Sequence, residues 1–152
     1  MWWQLVSLFG EDGLEVLDED TCRHLLAGEH LGRVALSIGA LPAIFPVNFV
    51  YADGEILFRT AEGAKLTAAT AGAVVAFEVD RSDSPDHTGW SVMVVGRSEV
   101  VPPDKEHEHP AQGRLAQWAS ARGDALVRVV PALWTGRRIS RNVTAQEPPA
   151  FA

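Results

Sequence analysis

The dipeptide Asp53-Gly54 constrains this chain more than any other feature. Both residues tolerate the left-handed backbone that a two-residue type I′ hairpin turn requires. It separates two strand-like runs, Leu41–Tyr51 and Glu55–Thr60. In the first run Ala43, Phe45, Val47 and Phe49 share one face, and Ile44, Pro46, Asn48 and Val50 share the other. A chain centred on such a hairpin builds antiparallel sheet.

The same pattern recurs on either side. Gly32–Ile38 reads as a strand, with Gly39 and Ala40 as the tight turn into the next. Ala73–Arg81 is another strand, followed by a polar loop over Arg81–Gly89. Gly89–Val101 is a long strand with Trp90, Val92 and Val94 on one face and Ser91, Met93 and Val95 on the other. Ala125–Trp134 reads as the last strand, and Thr135–Ala152 as a tail that wraps the surface. Helical patterns fall at Asp18–His30, capped by Asp18 or Asp20, at Glu62–Ala71, stopped by Gly72, and at Ala111–Ala121. Pro102–Pro110 is a charged loop. The expected class is mainly β: an antiparallel, six-stranded, Greek-key-like β-barrel with short helices at its mouths, not a parallel α/β sheet.

Composition sets the outer limits. A chain of 152 residues suits a single domain, here 1–152 with a core over about 15–140, and 47% hydrophobic residues can bury that core without staples. A net charge of −7 argues against a nucleic-acid backbone as the main partner. It leaves room for a small phosphorylated ligand held by a local cluster of donors. The single cysteine, Cys22, cannot form an internal disulfide. No apolar run reaches the roughly eighteen residues of a membrane span. Met1–Gly10 is apolar but lacks a basic leader and runs into Glu11 and Asp12. The expectation is a cytoplasmic protein without membrane attachment.

Three stretches carry candidate chemistry. In Phe58-Arg59-Thr60-Ala61-Glu62-Gly63-Ala64-Lys65-Leu66 a strand ends and a helix begins, with Lys65 in its first turn. Free amide groups, Lys65, the Thr60 hydroxyl and the Arg59 guanidinium together make a plausible phosphate cradle. The same spacing also fits two solvated surface charges and a strand threonine. In Pro46-Val47-Asn48-Phe49, proline confines its position to an edge or bulge, and Asn48 offers a donor and an acceptor to the polar rim of a planar ligand. A barrel bulge with a satisfied asparagine fits equally. In Gly89-Trp90-Ser91-Val92, Trp90 can cover an aromatic ligand or fill the core.

Taken in order, these stretches resemble the pyridoxamine 5′-phosphate oxidase-like flavoproteins, in particular the branch that includes the nitroimidazole-resistance reductases. Gly32-Arg33-Val34-Ala35-Leu36-Ser37, Ala76-Phe77-Glu78-Val79-Asp80 and Thr135-Gly136-Arg137-Arg138-Ile139 extend the match over roughly residues 15–140. The resemblance implies an FMN-binding split β-barrel and a homodimer with two equivalent sites at its interface. It implies that Arg59, Thr60 and Lys65, with Gly63 and Leu66 beside them, hold the FMN phosphate. Pro46, Val47 and Asn48 would lie along the flavin ring, and Trp90 and Ser91 would approach the ring or its side chain. One departure stands out: Val95 precedes Gly96 where relatives often carry a basic residue. Some relatives take F420 or haem in place of FMN.

His107-Glu108-His109 has the look of a metal cluster, but prolines surround it and no third ligand is near in sequence, so no metal is expected. The Asp80–Asp86 run reads as solvated, Cys22 as a small buried hydrophobe, and His24 and His30 have no triad partner. The resulting expectation is an FMN-dependent oxidoreductase acting on a small molecule, with the flavin carrying the redox chemistry and no side chain named as catalytic. The competing expectations are an F420-dependent reductase and a non-catalytic flavin or haem carrier.

Overall fold

The computed structural model describes residues 14–60, 64–83, 85–109, 111–115 and 125–139, with the backbone alone for Ala64, Lys65 and Gln112. The elements in chain order are β1 (Leu14–Leu17), α1 (Glu19–Ala27), β2 (Leu31–Ile38), β3 (Leu41–Ala52), β4 (Glu55–Arg59), α2 (Ala64–Thr70), β5 (Val74–Asp83), β6 (Thr88–Val100), a 3-10 turn (Glu106–Glu108), α3 (Gln112–Leu115) and β7 (Leu126–Ile139).

All described strand pairs are antiparallel. The strand order is β1-β7-β4-β3-β2-β5-β6, and β6 also pairs with β7. Six strands therefore close into a ring, and closure removes most exposed edges. The short β1 is a seventh strand added to the end of β7, pairing Leu14 with Ile139 and Leu17 with Gly136. The six-strand expectation is corrected to seven on that account: four residues of mixed polarity carry little periodicity. The tail expectation is corrected too. β7 runs on through Thr135–Ile139, because those residues are sandwiched between β1 and β6. The Arg81–Gly89 loop shrinks to a short turn, since β5 reaches Asp83 and β6 starts at Thr88. Polar side chains there stand on paired strands.

The hairpin at Asp53-Gly54 forms as expected, with φ of 53° and 81°. Pro46 also obeys its rule. The Phe49 amide donates to the His30 carbonyl at 2.9 Å, so alternate residues of β3 face β2 with their amides. Pro46 falls on the opposite parity, and β4 pairs only as far as Phe49. Its missing N–H thus lies on an edge that no described strand pairs. Helix α1 starts where Asp18 accepts a hydrogen bond from the Thr21 amide at 2.7 Å. That bond holds the Asp18 carboxyl below its ordinary range.

The inward faces supply the core: Val34, Phe49, Ile56, Phe58, Phe77, Val92, Val94 and Val129, among others, with Leu26 of α1 and Leu66 of α2. Phe77 meets Phe49 edge-on at 4.9 Å and stacks on Phe58 at 6.3 Å. A smaller cluster lies outside the ring, where Val50, Leu57 and Leu126 are covered by Val101, Ala111 and Leu115. Helix α1 packs between β3 and β7. Its Arg23 lies 4.9 Å from the Trp134 ring and donates to the Tyr51 hydroxyl at 2.9 Å, while Tyr51 and Trp134 meet edge-on at 5.9 Å. Among the described residues no helix is long and apolar enough to cross a membrane.

Candidate functional site

The outer face of β5, β6 and β7 carries a groove of about 840 Å³. Register explains its lining. The row Pro46, Arg33, Glu78, Met93, Thr135 crosses five neighbouring strands from β3 to β7. The row Asp80, Ser91, Arg137, Val16 runs beside it. Alternation points Ser91, Met93 and Val95 outward, next to Leu133, Thr135 and Arg137. Met93, Leu133 and Ile139 are 39%, 42% and 49% exposed, so the floor is apolar and open.

Several charges along this face are paired. Arg33 bonds Asp80 at 2.6 Å and Glu78 at 3.2 Å. Partial burial and the neighbouring Asp80 raise the Glu78 carboxyl above its ordinary range, with Arg33 pulling the other way. Arg81 bonds Glu29 at 2.7 Å. Arg137 differs. Its Nη1 donates to the Gly136 carbonyl at 3.0 Å, and its buried Nε has no hydrogen-bond partner among the described residues. Leaving a buried donor unmatched costs about 1–3 kcal/mol.

The expected site residues fall into two groups. Trp90 and Ser91 line the groove, and Trp90 also packs on the core from the barrel mouth. Pro46, Val47 and Asn48 lie on β3 close to Arg59 at the end of β4 and to Thr60 just after it, since Phe49 and Phe58 are the last pair between these strands. Pro46 and Asn48 are exposed on the outer face, and the Val47 side chain is in the core. Strands lie roughly 4.8 Å apart, so Pro46 and Met93, three strands apart in one row, are separated by about 14 Å along the sheet. One chain thus carries the expected residues as two separate groups.

The residues expected to cradle a phosphate have structural duties. Arg59 bonds Glu106 at 2.7 Å, with the two side chains only 15% and 16% exposed. This pair fastens the 3-10 turn over the outer cluster. Thr60 is wholly buried: its hydroxyl lies 3.0 Å from the Thr67 hydroxyl and accepts from the Ala125 amide at 3.1 Å. It ties the end of β4 to α2. Leu66 is in the core, Lys65 is in the first turn of α2, and Gly63 lies outside the described residues.

Elsewhere, His109 Nε2 lies 3.4 Å from a Glu55 oxygen, beside a second cavity of about 750 Å³. Among the described residues no three His, Cys, Asp or Glu side chains converge on a metal geometry. Cys22 is buried, and burial above all, with Asp18 and Glu19, pushes its thiol up, so it is a poor nucleophile. Thr135 and Arg137 fall outside the strand expected over Ala125–Trp134, and Leu133 falls inside it with nothing local to mark it as a groove residue. Their alternation, Leu133-Thr135-Arg137-Ile139, was the available signal. His87, at φ 52° in the β5–β6 turn, also reaches the groove, and no sequence pattern marks it.

A sequence model of the pyridoxamine 5′-phosphate oxidase family matches residues 18–138. The chain belongs to this family. An uncharacterised protein of Mycobacterium tuberculosis is 41% identical over 128 residues, covering 81% of this chain and 84% of its own. Among solved structures, an FAD-binding protein from Mycobacterium smegmatis is 35% identical with a TM-score of 0.64, covering 84% of this chain and 99% of its own. An FAD-binding protein from Mesorhizobium loti has a TM-score of 0.68 over 84% of this chain and 99% of its own, and at 21% identity shows the fold alone. The family's split barrel matches the six-strand ring with its appended β1.

Proposed function

We propose that this chain binds a flavin at the interface of a homodimer and uses it as an oxidoreductase on a small-molecule substrate. The observation that carries the reading is the apolar groove bearing Trp90, Ser91 and Arg137, in a chain 35% identical to an FAD-binding protein. A flat, apolar floor with a few polar groups at its rim fits a flavin ring. The exposed Met93, Leu133 and Ile139 give a second copy an apolar surface to cover. Pairing of two copies would bring the Pro46–Asn48 half of one chain to the Trp90–Ser91 half of the other.

In this reading Arg59 and Lys65 supply charge to the cofactor phosphate, and Thr60 holds the strand end on which they converge. Asn48 offers hydrogen bonds to the polar edge of the ring. Bound there, a flavin supplies one- and two-electron transfer; the protein supplies binding, orientation and electrostatics. FMN is the cofactor that the sequence resemblance implies, and the name of the Mycobacterium smegmatis relative favours FAD.

The test is a titration of the apo protein with FMN, FAD, F420 and haem, followed by absorbance and flavin fluorescence, with the mass read by light scattering. The expected result is saturable binding of one flavin per chain by a dimer. Binding of F420 or haem with no flavin bound, or a monomer carrying flavin, overturns the corresponding part of the proposal.

A further inference from the structure

We propose that the cavity between the end of α2, the ends of β6 and β7 that pair Glu99 with Arg128, and the 3-10 turn is a second binding site, fitted to a small zwitterion with a short apolar body, of the α-amino acid kind. It shares no lining residue with the β5–β6–β7 groove, so it stands apart from the flavin reading. At about 750 Å³ it has the size of a small-molecule site.

The 3-10 turn has two sides with different duties. Glu106 and His109 reach β4: Glu106 bonds Arg59 at 2.7 Å, and His109 Nε2 lies 3.4 Å from Glu55. Lys105, at the start of the turn, and Glu108 line the cavity instead. Side chains at this i, i+3 spacing eclipse in a 3-10 helix, so the two stand on one side. Both are exposed. They make no ion pair with each other, and among the described residues neither has another ion-pair partner. Their backbone is held, since the Glu108 amide donates to the Lys105 carbonyl at 3.1 Å and the His109 amide to the Glu106 carbonyl at 3.2 Å. A spare cation and a spare anion on a fixed turn suit a ligand that carries both charges.

The wall behind them favours the same ligand. Arg128 donates to Glu99 from Nε at 3.0 Å and from Nη2 at 2.7 Å, and its Nη1 lies 3.7 Å from Glu55, so these groups answer one another. His109 is only half answered. Its Nδ1 is buried with no hydrogen-bond partner among the described residues. The Glu55 carboxylate only accepts, which puts the proton of the neutral ring on Nε2 and leaves Nδ1 an acceptor. A ligand ammonium is the donor that Nδ1 and Glu108 lack, and a ligand carboxylate answers Lys105. Val100 and Pro102 flank the apolar body.

Leucine, 4-methylpentanoate and 3-methylbutylamine share one apolar body and differ in charge: both groups, the carboxylate alone, the ammonium alone. Binding of each to the full chain is measured by calorimetric titration in the parent, Lys105→Ala and Glu108→Gln, with thermal melting to show that the variants fold. In the parent, leucine is expected to bind saturably and about fivefold or more tighter than either analogue. Lys105→Ala should weaken leucine and 4-methylpentanoate and leave 3-methylbutylamine unchanged. Glu108→Gln should weaken leucine and 3-methylbutylamine and leave 4-methylpentanoate unchanged. No saturable leucine binding, an analogue that binds as tightly as leucine, or a leucine affinity that neither substitution lowers overturns the proposal. Failure of the flavin reading shows separately, as absent flavin binding with the preference for leucine intact.

Discussion

Gly136 joins the barrel to α1 and sits between the groove residues Thr135 and Arg137, so replacing it tests the packing that shapes the site. A methyl group built there runs into the Cys22 sulfur and comes to 2.8 Å from Leu17 Cβ and 3.3 Å from Leu17 Cδ1. Gly136 does not have a positive φ, so alanine adds no backbone strain. The cost is overpacking alone. Leu17 Cβ cannot rotate away, and the Cys22 sulfur is buried. This places Gly136→Ala in the upper part of the overpacking range, at about 2–3 kcal/mol. In a chain of this size each kcal/mol moves Tm by roughly 2–4 °C. Cys22→Ala by itself should cost only about 1 kcal/mol, for a small void. The double variant should recover about 1 kcal/mol relative to the sum, since the sulfur contact is gone and the Leu17 contact remains. The assay is urea unfolding of all four proteins with linear extrapolation. Strict additivity, or a Gly136→Ala variant as stable as the parent, would refute the reasoning that Cys22 packs directly on the β7 backbone.

Three further outcomes are expected. Lys65→Ala should weaken FMN by about 1.5–3 kcal/mol while leaving riboflavin unchanged; equal FMN affinity in variant and parent removes Lys65 from the phosphate site. Glu106→Gln should lower stability by about 1–3 kcal/mol through the half-lost pair with Arg59, with little effect on flavin affinity, whereas Arg59→Ala should lower both. Chemical unfolding and flavin titration separate the two, and identical effects would make Arg59 purely structural. Asp18→Ala should lower Tm at neutral pH. Because the Asp18 carboxyl is held below its unfolded value by the Thr21 amide, its contribution is present above that value and fades as pH falls through the folded one. Melting curves for parent and variant should therefore converge in acid, and a difference that persists there contradicts the capping role.

Much of the fold was legible in local chemistry. Asp53-Gly54 imposes its turn because only residues tolerant of positive φ form it. Asp18 starts α1 through a bond within one turn, and Gly72, at φ 70°, stops α2. The alternation of β3 and β6 separated the two faces of each strand, and the structure puts Val92 and Val94 inward and Met93 outward. These features depend on neighbours in sequence, so periodicity and turn chemistry suffice to find them.

What tertiary structure alone decided was pairing between distant segments. Polarity suggested that Ser82 and Asp83 were loop, yet pairing with Gly89 and Thr88 keeps them in β5. Thr135–Ile139 is strand because β1 and β6 flank it, and β1 itself exists through that contact. Arg59 and Thr60 read locally as free donors. In the fold Glu106 answers the first, and Thr67 and Ala125 answer the second, across separations no local pattern encodes. Arg137 shows the converse: the alternation Leu133-Thr135-Arg137-Ile139 marks a strand face but not what that face meets. Only ring closure, with β7 between β1 and β6, places it in an apolar groove with a buried donor unanswered. Sequence determines which residues alternate and where the chain turns. Which charges are matched depends on strand register between segments far apart in the chain, and register is set by how the whole barrel buries its core.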